Sequence, residues 1–444
     1  MKNAFKDLKK SKLLIRGMVS FTKKTGVCAT LQTLELMVPI LGKVNVTLSG
    51  KEKHAMLMMK VDGQDGFDAI LGNKSKSVKP IEGYDTEISV GNEKYYCVAD
   101  PKISLDIAFQ KIFALRGLHD VGLVYGDVKI ENVMIQKEND KYTVRLIDIG
   151  SIIKKDTIDF ICTPYTAAPE GFVGGNFSEK YVANPKFDVF ANAVDLPYIF
   201  FGGVAKKHLA REFKDKDMPK IFSKMKSSFE RISHRFEKWG QLKTLFMFIF
   251  FSKEYEEHKK NETFDYVFNG RHTRLKNEFY ISDIFSAYEY ADNDDVEETL
   301  KEYEQDGFEK PNFSSPNFPE NMTNAQKMRY MYWHLGFLKT NRDIESGTGK
   351  NEEKGKGVYP TEVIHSLSLL QMYSTDPNPE KRISSRAIER VLLHLKMTVD
   401  QWKDGQYRIV NENGLISGDG LSPEEWEMVD IILPKNEANK KNKS

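Results

Sequence analysis

Cysteine is scarce in this chain of 444 residues, which has only Cys28, Cys97 and Cys162. Three widely spaced cysteines form neither the even set of a disulfide framework nor the close pairs of a metal-binding motif. Disulfide-rich secreted scaffolds are therefore excluded. We expect a reducing compartment and, with it, a cytoplasmic location.

Long apolar runs are missing as well. The best candidate, Leu245–Phe251, is far shorter than the roughly 20 residues that a membrane-spanning helix needs. Arg16 interrupts the stretch after the basic N-terminus before the apolar core of a signal peptide could form. We expect neither a transmembrane segment nor a secretion signal.

An excess of charge of one sign is also absent, because 65 Lys and Arg face 64 Asp and Glu. This balance gives no indication of a polyanionic partner. The content of 40% hydrophobic and 29% charged residues is typical of a globular protein and excludes disordered, collagen-like and coiled-coil chains. The length suits one domain of about 250–300 residues with insertions or tails.

The distribution of apolar residues divides the chain into zones. Short runs separated by Gly, Asn and Asp indicate a strand-rich unit at 28–101, and longer helical runs follow at 102–395. Within the second unit, about 204–359 forms a charged helical insertion. The segments 1–27 and 396–444 are N- and C-terminal extensions.

Several elements of the second unit can be predicted individually. A helix capped by Ser104 should be followed by a hairpin with strands Asn132–Ile135 and Tyr142–Ile147. Asp188–Phe201 is apolar on almost every face, which is typical of a helix buried all round. Near the C-terminus, Ser422-Pro423-Glu424-Glu425 is a helix-start signal.

The stretch with the most chemical information is Asp127-Val128-Lys129-Ile130-Glu131-Asn132, and Asp148-Ile149-Gly150 follows it after the predicted hairpin. Phosphoryl transfer needs a carboxylate that orients the attacking hydroxyl and an ammonium group that neutralises the phosphate. It also needs an amide and a second carboxylate that hold Mg²⁺. The ordered pattern D-x-K-x-x-N, hairpin, D-x-G contains all of these groups.

This pattern resembles the catalytic-loop and metal-binding motifs of the eukaryotic-type protein kinases. The resemblance implies that Asp127 is the catalytic base and that Lys129 contacts the γ-phosphate of ATP. It further implies that Asn132 and Asp148 bind Mg²⁺. Three later segments match the family in order: Cys162–Glu170 the end of the activation segment, Asp188–Val194 the central helix with its loop-holding Asp, and Asn378–Ser384 with an Arg that pairs with Glu170.

The resemblance implies a two-lobed α+β fold with a reduced small lobe. It also implies ATP- and Mg²⁺-dependent phosphorylation of Ser or Thr in a protein, because Lys129 follows the habit of serine/threonine kinases. Two alternatives stay open. Gly126-Asp127 is similar to a motif of small-molecule kinases in the same superfamily, and a pseudokinase or scaffold would bind partners through the insertion. Retention of all four motif residues argues against the pseudokinase.

The nucleotide-binding elements of the small lobe match poorly. Gly42 is the single glycine of the best candidate for a glycine-rich loop. Lys60 ends a strand-like apolar run, as the ATP-anchoring lysine does in the family, and Lys43 is the alternative. We therefore predict that Gly42 and Lys60 bind the nucleotide, and we assign no glutamate partner to the lysine.

Other features depart from the family. Tyr125-Gly126 stands where the family has His-Arg, so no arginine is present to pair with an activation-loop phosphate. The segment from Asp148 to Glu170 is compact. Both features predict activity without activation-loop phosphorylation. Together with the divergent small lobe they resemble the eukaryotic-like kinases that intracellular bacteria such as Legionella inject into host cells, which would imply the host-cell cytosol.

The insertion contains both basic and aromatic residues. In Lys206–Lys243 the aromatics recur near every seven residues, which favours a helix with a buried stripe over a nucleic-acid-binding surface. The apolar residues after Phe222 exceed what a solvated linker carries, so they pack either on their own lobe or on a second copy. We predict a homodimer through this region and no nucleic-acid partner.

Overall fold

The computed structural model describes residues 36–37, 40–48, 51–58, 60–73, 77–138, 141–157, 162–172, 182–209, 212–214, 278–289, 291–347, 359–399 and 421–433. Its strands are β1 (Ile40–Leu48), β2 (Lys51–Met58), β3 (Gln64–Asp65), β4 (Thr86–Val90), β5 (Glu93–Cys97), β6 (Leu123–Val124), β7 (Val133–Glu138), β8 (Lys141–Leu146), β9 (Ile153–Lys154), β10 (Glu212–Lys214) and β11 (Glu278–Tyr280). Its helices are α1 (Gly66–Leu71), α2 (Pro101–Asp120), α3 (Pro185–Phe201), α4 (Ala205–His208), α5 (Ile281–Tyr288), α6 (Asn293–Gln305), α7 (Asn324–Gly347), α8 (Thr361–Ser374), α9 (Ser385–Thr398) and α10 (Pro423–Ile432).

The predicted hairpin is present as β7 and β8, and β3 adds a third antiparallel strand in the order β3-β7-β8. The first pair of the hairpin is Val133 with Leu146. Asn132 therefore immediately precedes β7, and Asp148 lies two residues after β8. The pairing of these two strands brings both predicted metal ligands to the same end of the sheet.

Elements from before residue 101 contact elements that follow it. Gln64 in β3 pairs with Ile135 in β7, and the β4–β5 hairpin packs against residues 202–204. Gly63 approaches β7 so closely that a Cβ atom there would stand 2.5 Å from the carbonyl oxygen of Ile135. These contacts cross the boundary predicted at 101, which stays a prediction.

Helix α3 is buried on all sides, as its uniformly apolar sequence predicted. The side chain of Asn184 caps its N-terminus by accepting from the amide of Lys186, and Pro185 occupies the first turn. Every residue from Phe187 to Phe201 is buried. Helices α2, α7, α8 and α9 contact α3. The core of the described chain is thus built around α3.

Helix α2 begins earlier than predicted. Asp100, and not Ser104, is its N-cap, because the Asp100 carboxylate accepts from the amide of Lys102 at 2.9 Å. Ser104 lies inside the helix, where its hydroxyl donates to the carbonyl of Pro101 at 2.9 Å and contacts the hydroxyl of Tyr359. Proline fits the first turn of a helix, so the helix extends back beyond the first apolar residue of the pattern.

The described part of the predicted insertion packs on the same core. The ring of Phe285 in α5 lies 6.4 Å from that of Phe190, and the ring of Phe337 in α7 lies 5.2 Å from that of Phe201. These described helices of the predicted insertion therefore pack on the core around α3. The apolar residues on which the homodimer prediction rests, from Phe222 onward, are outside the described residues.

The C-terminal helix α10 starts as its sequence predicted. Ser422 and Glu425 form a reciprocal capping box. Val429 and Ile432 are buried where α10 packs on α8 and α9. Across the described ranges, no helix combines the length and the apolar character that crossing a membrane requires.

His334 in α7 should make the stability of the fold depend on pH. Burial, together with a smaller effect of nearby His365, lowers the pKa of its side chain from 6.5 to about 3. Folding thus favours the neutral ring, whose contribution is complete above pH 6.5 and is lost as the pH falls from there towards 3. We expect the free energy of unfolding to fall by about 1.4 kcal/mol for each pH unit in that window because of this group.

Urea unfolding between pH 7 and pH 4.5 measures the effect, and His334→Phe is the matched non-titrating control. In the variant, the free energy of unfolding should fall less steeply with decreasing pH. Other buried histidines still contribute to the remaining slope. Parallel slopes for the two proteins would contradict the assignment.

Candidate functional site

One buried carboxylate holds the backbone of the predicted catalytic loop. The Oδ2 atom of Asp188 accepts from the amide of Tyr125 at 2.7 Å, and its Oδ1 atom accepts from the amide of Gly126 at 2.9 Å. Nε2 of His119 lies 2.9 Å from the same Oδ2 atom. Because Asp188 is fully buried, these hydrogen bonds replace the water that a carboxylate otherwise needs. Gly126 has φ 86°, a left-handed value that favours glycine.

Asp127, Lys129 and Thr163 form a closed triangle of hydrogen bonds. The ammonium group of Lys129 donates to Oδ2 of Asp127 at 2.7 Å and to Oγ1 of Thr163 at 2.8 Å. The Thr163 hydroxyl donates to Oδ1 of Asp127 at 2.6 Å. The triangle joins the activation segment to the two residues that the motif marked as catalytic.

Asn132 lies beside this triangle and is buried. Its amide nitrogen donates to the main-chain oxygen of Asp127 at 2.8 Å and to Oδ2 of Asp127 at 2.9 Å. With the nitrogen occupied, Oδ1 accepts no hydrogen bond from any residue in the described ranges. An amide oxygen is a suitable ligand for Mg²⁺.

Asp148 approaches the same place from the end of β8. The amide of Ile147 donates to the carbonyl of Asn132 at 3.0 Å, which ties the two segments together. Asp148 itself is exposed and adopts the left-handed conformation, with φ 53° and ψ 55°. A non-glycine residue pays a conformational cost there and is often found at functional sites. Asn132 and Asp148 thus offer an amide oxygen and a carboxylate from adjacent segments.

These two residues fit Mg²⁺ only in combination with a ligand that supplies further oxygens. Within the ranges that the structure describes, no three His, Cys, Asp or Glu side chains come together as a metal site. Mg²⁺ usually keeps waters and binds through one or two carboxylates together with substrate phosphates. The donor set therefore suits a metal that arrives with a nucleotide.

The described ends of the predicted activation segment are anchored to other parts of the described chain. Near its start, β9 pairs with β6. At its other end, the guanidinium of Arg382 donates to both carboxylate oxygens of Glu170, at 2.5 and 2.6 Å. Arg382 is buried, and its Nη1 also donates to the carbonyl of Lys186 at 3.0 Å. The implied pairing of Arg382 with Glu170 is therefore observed as a bidentate ion pair.

The thiol of Cys162 adds no charge to the triangle of Asp127, Lys129 and Thr163. Burial raises its pKa well above the ordinary value, and the carboxylate of Asp127 raises it further, while Lys129 has the opposite, smaller effect. The thiol is therefore neutral at physiological pH. Lys129 and Asp127 remain the charged pair of the triangle.

The structure does not bring the two predicted small-lobe residues into the triangle. Lys60 follows the end of β2 with its side chain 87% exposed, and its ammonium group pairs with Asp62 at 2.6 Å. Gly42 lies within β1 opposite Leu57, next to a register shift, and not in a loop. Lys60 lies after the end of β2, and the chain continues from there to β3, which belongs to the β3-β7-β8 sheet. This position does not support an ATP-anchoring role for Lys60.

One residue of the site was missed in the sequence. His119 lies in the last turn of α2 and contacts Asp188, and its Nδ1 lies 2.8 Å from the hydroxyl of Ser385. A histidine is common near a helix C-terminus for electrostatic reasons, so its type gave no signal of a special role. Its partners come from two distant helices, which only the tertiary structure brings together.

The loop, the triangle and the anchored activation segment define a protein-kinase-like site, and comparisons with known proteins agree at that level. No protein-family model matches the chain. It is similar to GLH-binding kinase 1 of Caenorhabditis elegans, with 28% identity over 109 residues, which is 23% of this chain and 27% of that protein. It is also similar to the dual serine/threonine and tyrosine protein kinase of Bos taurus, with 32% identity over 111 residues, which is 24% of this chain and 12% of that protein.

The similarity to these curated relatives thus spans well under half of their length. Among solved structures, the chain resembles the Cydia pomonella granulovirus kinase PK-1, with 20% identity, a TM-score of 0.27, and coverage of 39% of this chain and 55% of that one. The sequence similarity to the two curated kinases covers a quarter or less of this chain, and it agrees with the family that the motifs indicated.

Breaking the Arg382–Glu170 pair should be costly to the stability of the fold. Arg382→Lys replaces the planar guanidinium group with a compact ammonium group. Glu170 then loses its bidentate partner, and several carbonyls lose their donors. We expect a loss of about 2–4 kcal/mol in the free energy of unfolding, close to that for breaking other buried pairs. Urea unfolding measures it.

Arg386→Lys is the matched control, because Arg386 pairs with Asp120 at 2.8 Å nearer the surface. We expect that variant to lose less than about 1 kcal/mol. Equal losses in the two variants would contradict the importance given to the buried pair.

Proposed function

We propose that this protein is a protein kinase that transfers the γ-phosphate of ATP to Ser or Thr hydroxyls of a protein substrate. The observation that carries the proposal is the triangle of Asp127, Lys129 and Thr163 beside Asn132. In it the Asp127 carboxylate accepts hydrogen bonds from the Lys129 ammonium group, the Asn132 amide and the Thr163 hydroxyl. Phosphoryl transfer depends mainly on such positioning and on neutralisation of phosphate charge.

The proposed roles follow from the chemistry of each group. Asp127 accepts a hydrogen bond from the attacking hydroxyl and takes its proton, as it accepts one from Thr163 in the structure. Lys129 donates to the transferred phosphate. Asn132 and Asp148 would hold Mg²⁺, which when bound neutralises charge on the phosphates.

Two features support a protein substrate and a hydroxyl of Ser or Thr. The Arg382–Glu170 pair fixes the end of the activation segment, a segment that small-molecule kinases of this superfamily typically lack. Thr163 reaches both Asp127 and Lys129, which supports Ser and Thr as acceptors. Because the bovine relative is named a dual serine/threonine and tyrosine kinase, phosphotyrosine is a second outcome that the assays should score.

The pseudokinase alternative is favoured by one observation, namely that Gly42 lies within a strand and that Lys60 is exposed and pairs with Asp62. Retention of the four motif residues Asp127, Lys129, Asn132 and Asp148 favours the active enzyme. The homodimer, the cytosolic location and the resemblance to injected bacterial kinases stay predictions.

Asp127→Ala and Asp148→Ala should each abolish phosphotransfer, because one removes the proton acceptor and the other a metal ligand. We expect losses on the order of 10³-fold or more in rate. Transfer from radiolabelled ATP to a mixture of substrate proteins, with Mg²⁺ and with EDTA, measures this. Glu298→Ala, on the exposed face of α6, is the control and should keep the full rate. A near-normal rate for Asp127→Ala would overturn the assignment of this loop.

The enzyme should not need phosphate on Thr157, Thr163 or Thr166. Gly126 offers no side chain for a phosphate, and the Arg382–Glu170 and β6–β9 contacts hold the activation segment without one. Treatment with a phosphatase, followed by its removal, should therefore leave the rate on an added substrate unchanged. A large drop in rate, restored by incubation with ATP, would contradict this expectation.

A further inference from the structure

Tyr125 is buried beneath the catalytic loop, with a side chain that touches both segments of the proposed metal site. Only 1% of its surface is exposed. Its hydroxyl donates to the carbonyl of Ile147 and lies 3.5 Å from the carbonyl oxygen of Asn132. Ile147 immediately precedes Asp148. The hydroxyl therefore contacts the main chain of one proposed metal ligand and the residue next to the other.

Apart from this hydroxyl, the two segments are joined here by the main-chain hydrogen bond from Ile147 to Asn132 at 3.0 Å. Asp148 follows directly in a left-handed conformation, which is costly for a residue with a side chain. Such a conformation persists only where neighbouring contacts fix the chain. The hydroxyl of Tyr125 supplies one of these contacts.

The chemistry of this tyrosine suits a donor to the main chain. Its hydroxyl carries one proton that it can donate, and the two main-chain groups beside it are carbonyls, which can only accept. Its backbone amide is meanwhile held by Asp188 at 2.7 Å, which fixes the base of the side chain.

We propose that the Tyr125 hydroxyl is a positioning group that sets the separation of Asn132 and Asp148 and so determines how strongly Mg²⁺ strengthens nucleotide binding. This inference rests on the proposed kinase function. Tyr125 acts through main-chain carbonyls and touches neither metal nor nucleotide. Its loss should therefore weaken the effect of the metal while leaving binding of ATP alone unchanged.

Tyr84 offers a matched control for a merely structural role. It is equally buried, and its hydroxyl also donates to a main-chain carbonyl, that of Ile199 at 2.5 Å. Ile199 lies near the far end of α3, about 16 Å along the helix axis from Asp188. Tyr84→Phe thus removes the same kind of hydrogen bond from the same core, but away from the site.

The experiment measures ATP affinity of the full chain by calorimetry, with Mg²⁺ and with EDTA, for the wild type, Tyr125→Phe and Tyr84→Phe. The ratio of the two affinities is the gain from the metal. We expect Tyr125→Phe to reduce this gain by about threefold to tenfold, the range that one lost hydrogen bond produces. Its metal-free affinity should stay at the wild-type value, and Tyr84→Phe should keep the full gain.

An unchanged gain in Tyr125→Phe, or an equal reduction in Tyr84→Phe, would overturn the inference and leave the kinase proposal intact. A Tyr125→Phe chain that no longer folds, while Tyr84→Phe does, would also overturn it, because the role would then lie in the fold. A wild type that binds no ATP, or gains nothing from Mg²⁺, would overturn the proposed function and this inference together.

Discussion

The hydrogen bonds that the buried Asp188 carboxylate accepts hold together the part of the molecule on which the proposed chemistry depends. Asp188 belongs to α3, which is buried from Phe187 to Phe201, and it accepts from two consecutive amides of the loop that precedes Asp127. A charge without solvent is tolerated only when donors surround it, so the loop cannot move away without leaving that charge unsatisfied. The position of Asp127 is therefore coupled to the packing of the core.

A second buried charged side chain, Arg382, also links the site to α3. Arg382 lies just before α9 and pairs with Glu170. It also donates to the carbonyl of Lys186, so it links the activation segment to the first turn of α3. The activation segment in turn carries Thr163, which closes the triangle with Asp127 and Lys129. Buried ion pairs contribute little net stability on average, but they are costly to break and so favour one arrangement. The loop before Asp127 and the end of the activation segment are thus each bonded to a buried charged side chain, Asp188 and Arg382 respectively.

Local patterns predicted the features that depend on neighbours in the chain. The hairpin of β7 and β8, the uniformly buried α3 and the Ser422 cap follow from periodicity and capping chemistry. Features that depend on distant pairing could not be predicted. Lys60 ends an apolar run in a way typical of an anchoring lysine, yet the chain continues into β3 and leaves the side chain in solvent. His119 contacts Asp188 from 69 residues away, a distance at which sequence spacing carries no information.

The most direct test of the account identifies which residues of a protein receive phosphate from this chain. Purified protein is incubated with γ-labelled ATP, Mg²⁺ and a cell lysate whose own kinases have been heat-inactivated, and the labelled proteins are hydrolysed to phosphoamino acids. We predict label in phosphoserine and phosphothreonine. Label confined to small molecules, or no label above a reaction without the purified chain, would contradict the proposal that Asp127, Lys129 and Thr163 form the active site of a protein kinase.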